Sequence, residues 1–346
     1  MDIVKVGKAI AYLRKQAGYT QKELAELIGI SDKAVSKWER GVGLPDIAYL
    51  GRLAVLLDTD TDSLLAGDAM SHGKRWSGLL IFPKNSYDVK ASTQVYGKPV
   101  VNFLLSYFLL AGIKNIVVAG SEEDKDYLDS EFGDGNKIGI NLSCLDDFYD
   151  IDSVIDCSNV MVVFGRTFIY GASMTRLFRR AMANNDRATV LSIPKSVEDN
   201  LQRLYFDVNK KVVNMDSLEK RETRYDYAQI PILFCPKSIL NRVLVTNKTR
   251  QGLLSINLSD PSFRNEFLYT DFPDRGYIEF PIDTLDDVAD ASIFVRMLEK
   301  SSRSIVYCLE EIAWRRGMIS LEQMKQLGNE KAGTEYGNYI LSLCDR

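Results

Sequence analysis

The sequence predicts a multi-domain chain, in which an all-α head precedes an α/β body with a mixed sheet and a helical C-terminus. Two observations predict this division. Residues 1–66 show only helical periodicity, whereas short runs rich in β-branched residues alternate with helical runs after Trp76. Such alternation is typical of a largely parallel, Rossmann-like sheet. We therefore predict domains at residues 1–66 and 77–346, with the small, polar stretch at 67–76 as their linker.

Two short helices joined by a tight connection are the clearest pattern in the head. Thr20 and Glu23 have the spacing of a capping box, and Gly29 can end the helix because glycine adopts the left-handed conformation without strain. Ser31 stands at the N-cap of a second helix that runs to about Arg40. Further helical segments are predicted at residues 3–16, 46–57 and 61–65.

The helix over residues 31–40 has an apolar face and a polar, basic face. Ala34, Val35 and Trp38 share the apolar side, whereas lysine, serine and arginine side chains share the other. A short helix with such a polar face can enter the major groove of DNA. We expect one group of residues to face the bases: Ser31, Lys33 and Ser36. We expect a second group to position the phosphates: Gln21, Lys37 and Arg40.

The head resembles the helix-turn-helix of the phage lambda repressor and Cro (Xre-type) family over about residues 3–66. The residues that carry this resemblance are Thr20-Gln21, Leu24-Ala25, Ile30, Val35-Ser36, Trp38-Glu39, Gly41 and Pro45. It implies binding to a palindromic operator in double-stranded DNA. Nine Lys/Arg balance nine Asp/Glu in residues 1–66, so a homodimer or higher oligomer with two heads is expected. The alternative is a small helical bundle that contacts another protein.

Composition excludes several classes of protein. The chain is 46% hydrophobic and 26% charged with a net charge of −4, which is typical of a globular domain rather than a membrane or disordered chain. Its start lacks the layout of a signal peptide. Five cysteines without paired spacing, and His72 as the only histidine, predict reduced thiols, a cytoplasmic location, and neither a metal site nor a cofactor.

Seven segments of the body match one enzyme family in the same order: Tyr96-Gly97-Lys98-Pro99, FGDGNKIGI at 132–140, VVFGRTFIYG at 162–171, SLEK at 217–220, DYAQIPILF at 226–234, CLEEIAWRRGMI at 308–319 and TEYGNYILSL at 334–343. Through these segments the body resembles the sugar-phosphate nucleotidyltransferases, and glucose-1-phosphate thymidylyltransferase most of all. The resemblance covers about residues 77–346. It implies a nucleotidyltransferase-like fold and a site for a sugar nucleotide or sugar phosphate.

The residues that perform nucleotidyl transfer in that family are not matched. The family's glycine-rich phosphate loop corresponds here to residues 81–89, IFPKNSYDV, which contain no glycine. Its two metal-binding aspartates fall on Arg166 and Pro281. The base-reading segment has no counterpart between Cys144 and Val160, and the glycine near the sugar falls near Gln202. Catalysis by positioned charges is hard to reconcile with these losses.

Four positions of this body remain candidates for ligand binding. The resemblance implies phosphate or sugar contacts for Lys90, Glu219 and Lys220, although each is also explained by an ordinary surface charge. Arg166 follows a predicted buried strand, so it belongs at the sheet edge where ligands bind, and its guanidinium suits a phosphate. The competing expectation is an ion pair between Arg166 and Glu279 or Asp283 that closes the pocket.

These observations predict a DNA-binding transcriptional regulator without enzymatic activity. Its nucleotidyltransferase-like body would serve oligomerisation and the sensing of a sugar nucleotide or sugar phosphate. One alternative is an active sugar-1-phosphate nucleotidyltransferase with an accessory DNA-binding head. Another is a purely structural body with a closed pocket.

Overall fold

The structure is a computed structural model, and the part of the chain that it describes has several gaps. The described residues are 2–16, 19–57, 59, 61–67, 76–82, 89–145, 154–165, 167–171, 174–183, 187–195, 203–206, 212–216, 226–247, 253–256, 268–273 and 276–345. Most of the predicted linker therefore lies outside the described residues, and Trp76, its last residue, begins the first strand.

The described part of the head contains five helices, which lie within one or two residues of their predicted bounds: α1 (Ile3–Gln16), α2 (Gln21–Ile28), α3 (Asp32–Glu39), α4 (Ile47–Leu56) and α5 (Thr61–Ala66). Thr20 and Glu23 form the predicted capping box, with each side chain bonded to the other residue's backbone N–H. Gly29 ends α2 at a φ of 85°, in the left-handed region that glycine adopts without strain.

The helices of the head enclose a small apolar core. Gly7 of α1 lies against the backbone of α3 so closely that an added Cβ would collide with the Trp38 carbonyl oxygen. Glycine at this position is what allows α1 and α3 to touch. The buried core residues are Val6, Ile10, Leu24, Ala25, Ile28, Val35, Trp38, Leu50, Leu53, Leu57 and Leu64.

The body contains fifteen strands and eight helices in its described part. The strands are β1 (Trp76–Ile81), β2 (Gln94–Val95), β3 (Lys98–Pro99), β4 (Asn115–Ala119), β5 (Asn141–Cys144), β6 (Asn159–Phe164), β7 (Thr167–Tyr170), β8 (Ala188–Lys195), β9 (Arg203–Phe206), β10 (Val212–Asp216), β11 (Asp226–Pro236), β12 (Leu244–Asn247), β13 (Leu253–Ile256), β14 (Leu268–Asp271) and β15 (Ile278–Pro281). The helices are α6 (Val100–Ala111), α7 (Glu122–Phe132), α8 (Met174–Met182), α9 (Lys237–Val243), α10 (Leu285–Ser302), α11 (Leu309–Arg315), α12 (Leu321–Glu330) and α13 (Glu335–Cys344).

The main sheet is mixed, as the sequence predicts. Its path runs β10-β9-β11-β6-β1-β4-β5, with β8 also paired to β11 and β14. The strands β5, β4, β1 and β6 are parallel, and β11 pairs antiparallel to β6. The α/β sheet with its antiparallel extension is thereby confirmed, as is the helical C-terminus.

Both faces of the central strand β1 are buried. Leu80 points into the larger core with α6, whereas Leu79 and Ile81 belong to the core on the opposite face. A continuous apolar strand is expected when helices cover both faces of a parallel sheet. The helix α6 is almost wholly buried, so its apolar sequence is explained by packing. No helix in the described ranges is long and apolar enough to cross a membrane.

Candidate functional site

The polar face of α3 is exposed in the head. Val35 is fully buried and Trp38 is 6% exposed, which fixes the orientation of the helix. On the opposite side Lys33, Lys37 and Arg40 are exposed, and Ser36 is half-buried between them. The Arg40 Nε donates to the Ser36 carbonyl oxygen at 3.2 Å, so this side chain lies along the end of the helix. The structure thus brings these four predicted contact residues together on one open surface.

Ser31 occupies the N-cap position of α3, but its side chain makes no capping hydrogen bond. Ser31 therefore has the predicted position at the start of α3 without the hydrogen bond of a cap. The first turn contains Asp32, whose carboxylate accepts from the Lys33 backbone N–H at 2.8 Å and lies near the positive end of the helix dipole. The Ser31 residue is exposed, so its hydroxyl is accessible to a ligand.

A buried ion pair fixes α3 to α1, and sequence reasoning missed it. The Arg14 Nε and Nη2 donate to the two carboxylate oxygens of Glu39 at 2.5 and 3.0 Å, and Nη1 donates to the Tyr19 carbonyl oxygen at 2.6 Å. The hydrogen bond to Glu39 is the main cause that raises the pKa of Arg14 above its ordinary value. Because the two residues are 25 positions apart, no local spacing signals the pair.

Gln21 joins the same network. Its Nε2 donates to the Glu39 carboxylate at 2.7 Å, and the residue is half-buried. The side-chain amide is therefore held at the start of α2, beside the end of α3. A group fixed in this way has a defined position and little rotamer freedom left to lose on binding.

At the carboxyl edge of the parallel strands, where ligands commonly bind in such folds, an aromatic ring packs against the residue that follows β6. Phe82 follows β1, is 2% exposed, and donates its backbone N–H to the Ala119 carbonyl oxygen at 2.7 Å. An added Cβ on Gly165, which follows β6, would lie 2.6 Å from a carbon of the Phe82 ring. Phe82 belongs to the segment that the resemblance aligns with the glycine-rich loop, and residues 83–88 of that segment lie outside the described residues.

Lys90 lies near the same edge, with its side chain 48% exposed, and forms an ion pair with Glu123 in the first turn of α7. Next to it, the buried Asp124 carboxylate accepts from the Ala91 backbone N–H at 2.9 Å. The Lys90 ammonium is therefore paired internally, and an incoming phosphate would compete with Glu123 for it.

Pro281, one of the two positions that the resemblance aligns with metal ligands, lies in β15 where this strand pairs with β7. Pro281 lies opposite Thr167, the residue after position 166. The Thr167 hydroxyl donates to the Glu279 carboxylate at 2.9 Å. Since magnesium requires oxygen ligands, the proline side chain at 281 does not fit it. Arg166, Glu219 and Lys220, including the expected pairing of Arg166 with Glu279 or Asp283, lie outside the described residues.

Comparisons with known proteins agree with the division into a helical head and an α/β body. A helix-turn-helix family model, HTH_3, matches residues 10–64. The glucose-1-phosphate thymidylyltransferase of Neisseria meningitidis is 27% identical over 280 residues, which cover 78% of this chain and 97% of that protein. That of Xanthomonas campestris is 26% identical over 286 residues, covering 78% and 95%. The chain joins a helix-turn-helix domain to a region homologous to glucose-1-phosphate thymidylyltransferase.

A solved structure supports the fold of the thymidylyltransferase-like body. It is a Bacillus anthracis protein assigned as a glucose-1-phosphate thymidylyltransferase, in complex with sucrose. It superposes with a TM-score of 0.52 at 14% identity and covers 64% of this chain and 95% of its own. At this identity the likeness concerns the fold only.

Lys98, in the Tyr96–Pro99 segment that resembles the thymidylyltransferases, has a structural role here. Its ammonium is buried, forms an ion pair with Glu299 of α10, and donates to the Val306 carbonyl oxygen at 2.6 Å. Burial is the main cause that lowers the pKa of Lys98, and the bond to Glu299 opposes it. This lysine thus connects the Lys-Pro turn to the C-terminal helices.

Proposed function

We propose that the protein is a cytoplasmic transcriptional regulator that binds a palindromic operator in double-stranded DNA as a homodimer or higher oligomer. The exposed basic face of α3, within a matched helix-turn-helix domain, carries this proposal. In this proposal three side chains contact the bases: Ser31, Lys33 and Ser36. Gln21, Lys37 and Arg40 contact phosphates.

The head gives the contacts a rigid base. Val35 and Trp38 anchor α3 to the core, and the Arg14–Glu39 pair fixes its end. Since the head as a whole is electrically neutral, one head offers little long-range attraction to DNA. Two heads on one palindrome supply the missing affinity through effective concentration.

We further propose that the thymidylyltransferase-like body is not catalytic. Phe82 at the strand edge and Pro281 at a metal position support this, because phosphate transfer needs an open cradle and charge neutralisation at the phosphates. The body then serves oligomerisation and the sensing of a sugar nucleotide or sugar phosphate, with Lys90, Arg166, Glu219 and Lys220 as the proposed contacts. A ligand regulates DNA binding only if it binds the DNA-competent state with a different affinity.

One observation favours a second candidate, an active sugar-1-phosphate nucleotidyltransferase with an accessory DNA-binding head. The alignment spans 97% of the Neisseria meningitidis enzyme, so no large part of that enzyme's length is absent. The carboxylates of Glu279 and Asp283, two residues on either side of Pro281, are the nearest oxygen donors along the chain.

Binding to the protein's own promoter tests the proposed regulator. Fluorescence anisotropy with a promoter fragment should give specific binding by the wild type and strong loss in Lys33→Ala/Lys37→Ala. Lys325→Ala on α12 removes one charge from an exposed site in the body and should bind like the wild type. Equal affinity of wild type and the double variant would sink the proposal.

The sensing role has its own test. Sugar nucleotides, sugar phosphates and nucleoside triphosphates are screened for a shift in the melting temperature of the full chain. A phosphate-bearing compound that stabilises the wild type but not Arg166→Ala or Lys90→Ala supports an anion site in the body. Absence of any shift at millimolar ligand supports the purely structural body.

A further inference from the structure

The helix α10 has one face anchored in the body and an apolar outer face. Val288, Ala291 and Val295 are buried against the body. On the outer side Leu285, Ile293 and Met297 are 61%, 58% and 66% exposed. Together with the exposed Ala289 they repeat every four residues, which forms a ridge of the kind that packs between helices. Grouped exposed apolar side chains on a globular protein mark an interaction surface.

Charged side chains frame this ridge in a particular order. Asp286 and Asp290 lie in the N-terminal half of α10, and Arg296 and Lys300 lie in the C-terminal half. At 3.6 residues per turn, all four lie within about 60° of Ile293 around the helix axis. All four are exposed, and no ion pair engages them among the described residues. The face is therefore negative at one end and positive at the other, with Ile293 at its centre.

We propose that this face docks against the same face of a second copy of the chain, with the two α10 helices antiparallel and the two-fold axis beside Ile293. In that arrangement, residues equally far from Ile293 in opposite directions lie at the same level. Asp286 then meets Lys300 of the second copy, and Asp290 lies level with Arg296 of the second copy on the other flank of the contact. Ala289 lies level with Met297, so a small side chain accommodates a large one. The inference rests on the proposed function, because it identifies the surface by which the body oligomerises.

Self-complementarity is the reason for choosing a second copy. A two-fold interface uses the same patch on both subunits, so each charge must find its opposite within that patch. The α10 face meets this condition only when antiparallel, since a parallel pair would place like charges together. One helix pair buries less than the roughly 1,600 Å² of a standard interface. The dimer therefore dissociates on dilution, and two heads bound to one palindrome reinforce it.

Charge-swap variants of the full chain test the interface without DNA. A basic variant, Asp286→Lys/Asp290→Arg, and an acidic variant, Arg296→Asp/Lys300→Asp, each place like charges across the proposed contact. Sedimentation velocity from about 1 µM to about 100 µM brackets a weak dimer. Each variant alone should raise the dissociation constant at least tenfold, on the order of 1.4 kcal/mol or more. Mixing the two variants should restore the dimer, because every contact is again between opposite charges.

Two controls keep the test decisive. Glu322→Lys/Lys325→Glu makes comparable changes on the exposed face of α12 and should leave the dimer intact. Ile293→Ser adds no charge and should also weaken the dimer. A wild type that stays monomeric, an unchanged mass in Ile293→Ser, or folded charge variants that do not reassociate would overturn the interface. Promoter binding measured in parallel separates this proposal from the proposed function. A wild type that dimerises but does not bind the promoter contradicts only the proposed regulator.

Discussion

The head and the body both keep their folds, but they differ at the place where each family acts on its ligand. In the head, the polar face of α3 is exposed and its anchoring residues are buried. In the body, the edge where ligands of such sheets bind holds the buried ring of Phe82. A fold is therefore maintained by its core and caps, whereas activity depends on a few exposed groups that can change without it.

The difference has a simple energetic basis. Exposed polar residues on α3 contribute little to stability, so they can be substituted with little effect on the fold. A buried phenyl ring is worth several kcal/mol, so an edge that gains one becomes part of the core. Substitution of Phe82 should therefore lower the stability of the body, whereas substitution on the exposed face of α3 should change DNA binding and leave stability nearly unchanged.

The largest effect is expected for Phe82→Ala. Removing a fully packed phenyl ring leaves a cavity, so the free energy of unfolding of the body should fall by about 3–5 kcal/mol. Denaturant titration followed by circular dichroism measures it. Leu321→Ala, on an exposed residue of α12, should cost less than about 0.5 kcal/mol. A Phe82→Ala cost as small as the control would mean that the edge is an open site.

In the head, Arg14→Ala should be equally severe, because it leaves the buried Glu39 carboxylate without its main partner. Breaking a buried pair costs about 3–5 kcal/mol. The change should lower the stability of the head, followed by the Trp38 fluorescence, and abolish promoter binding at temperatures where the wild type binds. Arg14→Met/Glu39→Leu removes both charges and should recover much of the stability. Failure of Arg14→Ala to destabilise the head would contradict the role of the pair.

Substitutions on the face of α3 should change DNA binding while leaving stability nearly unchanged. Lys37→Ala should weaken binding to all sequences alike and reduce the salt-dependence slope by about one. Lys33→Ala or Ser36→Ala should alter sequence preference, with about 1–3 kcal/mol of discrimination at the affected base pair. Anisotropy titrations on operator variants at several salt concentrations separate the two. A uniform response to all three changes would contradict the division between base and phosphate contacts.

A smaller effect distinguishes the regions by pH, because all five cysteines lie in the body. Burial raises the pKa of Cys235 and of Cys308 to about 12, from an ordinary value of 9.0. Above pH 9 the unfolded thiols lose protons that the folded thiols keep, so the free energy of unfolding of the body should fall as pH rises.

Each buried thiol should contribute about 1.4 kcal/mol of this loss by one pH unit above its unfolded pKa, and none below it. Denaturant titrations between pH 7.5 and pH 10, as rough limits, measure the slope. Cys235→Ala should reduce it, and Cys144→Ala, at an exposed thiol, should leave it unchanged. Stability that is constant through pH 10 would contradict the assigned burial.

Sequence reasoning succeeded where local chemistry decides the structure. The capping box at Thr20 and the left-handed Gly29 were predicted correctly at the two ends of α2, and the apolar runs located the main strands. Short strands such as β7 have too little pattern to be found. The contacts that define the sites, such as Arg14–Glu39 and Phe82–Gly165, join distant parts of the chain and only appear in the fold. The position of Ser31 at the N-cap of α3 was predicted correctly. Whether its hydroxyl forms the capping hydrogen bond depends on the side-chain rotamer, which the sequence does not specify.

Pyrophosphate release tests the central contrast most directly. The full chain is incubated with glucose-1-phosphate, each nucleoside triphosphate and Mg²⁺, beside an active thymidylyltransferase as a positive control. No release above the protein-free blank is expected, because the Pro281 side chain offers no oxygen to a metal ion and the Phe82 ring packs against Gly165 at the strand edge. Metal-dependent turnover that Lys90→Ala abolishes would contradict it, since that result requires a working site in the same cleft.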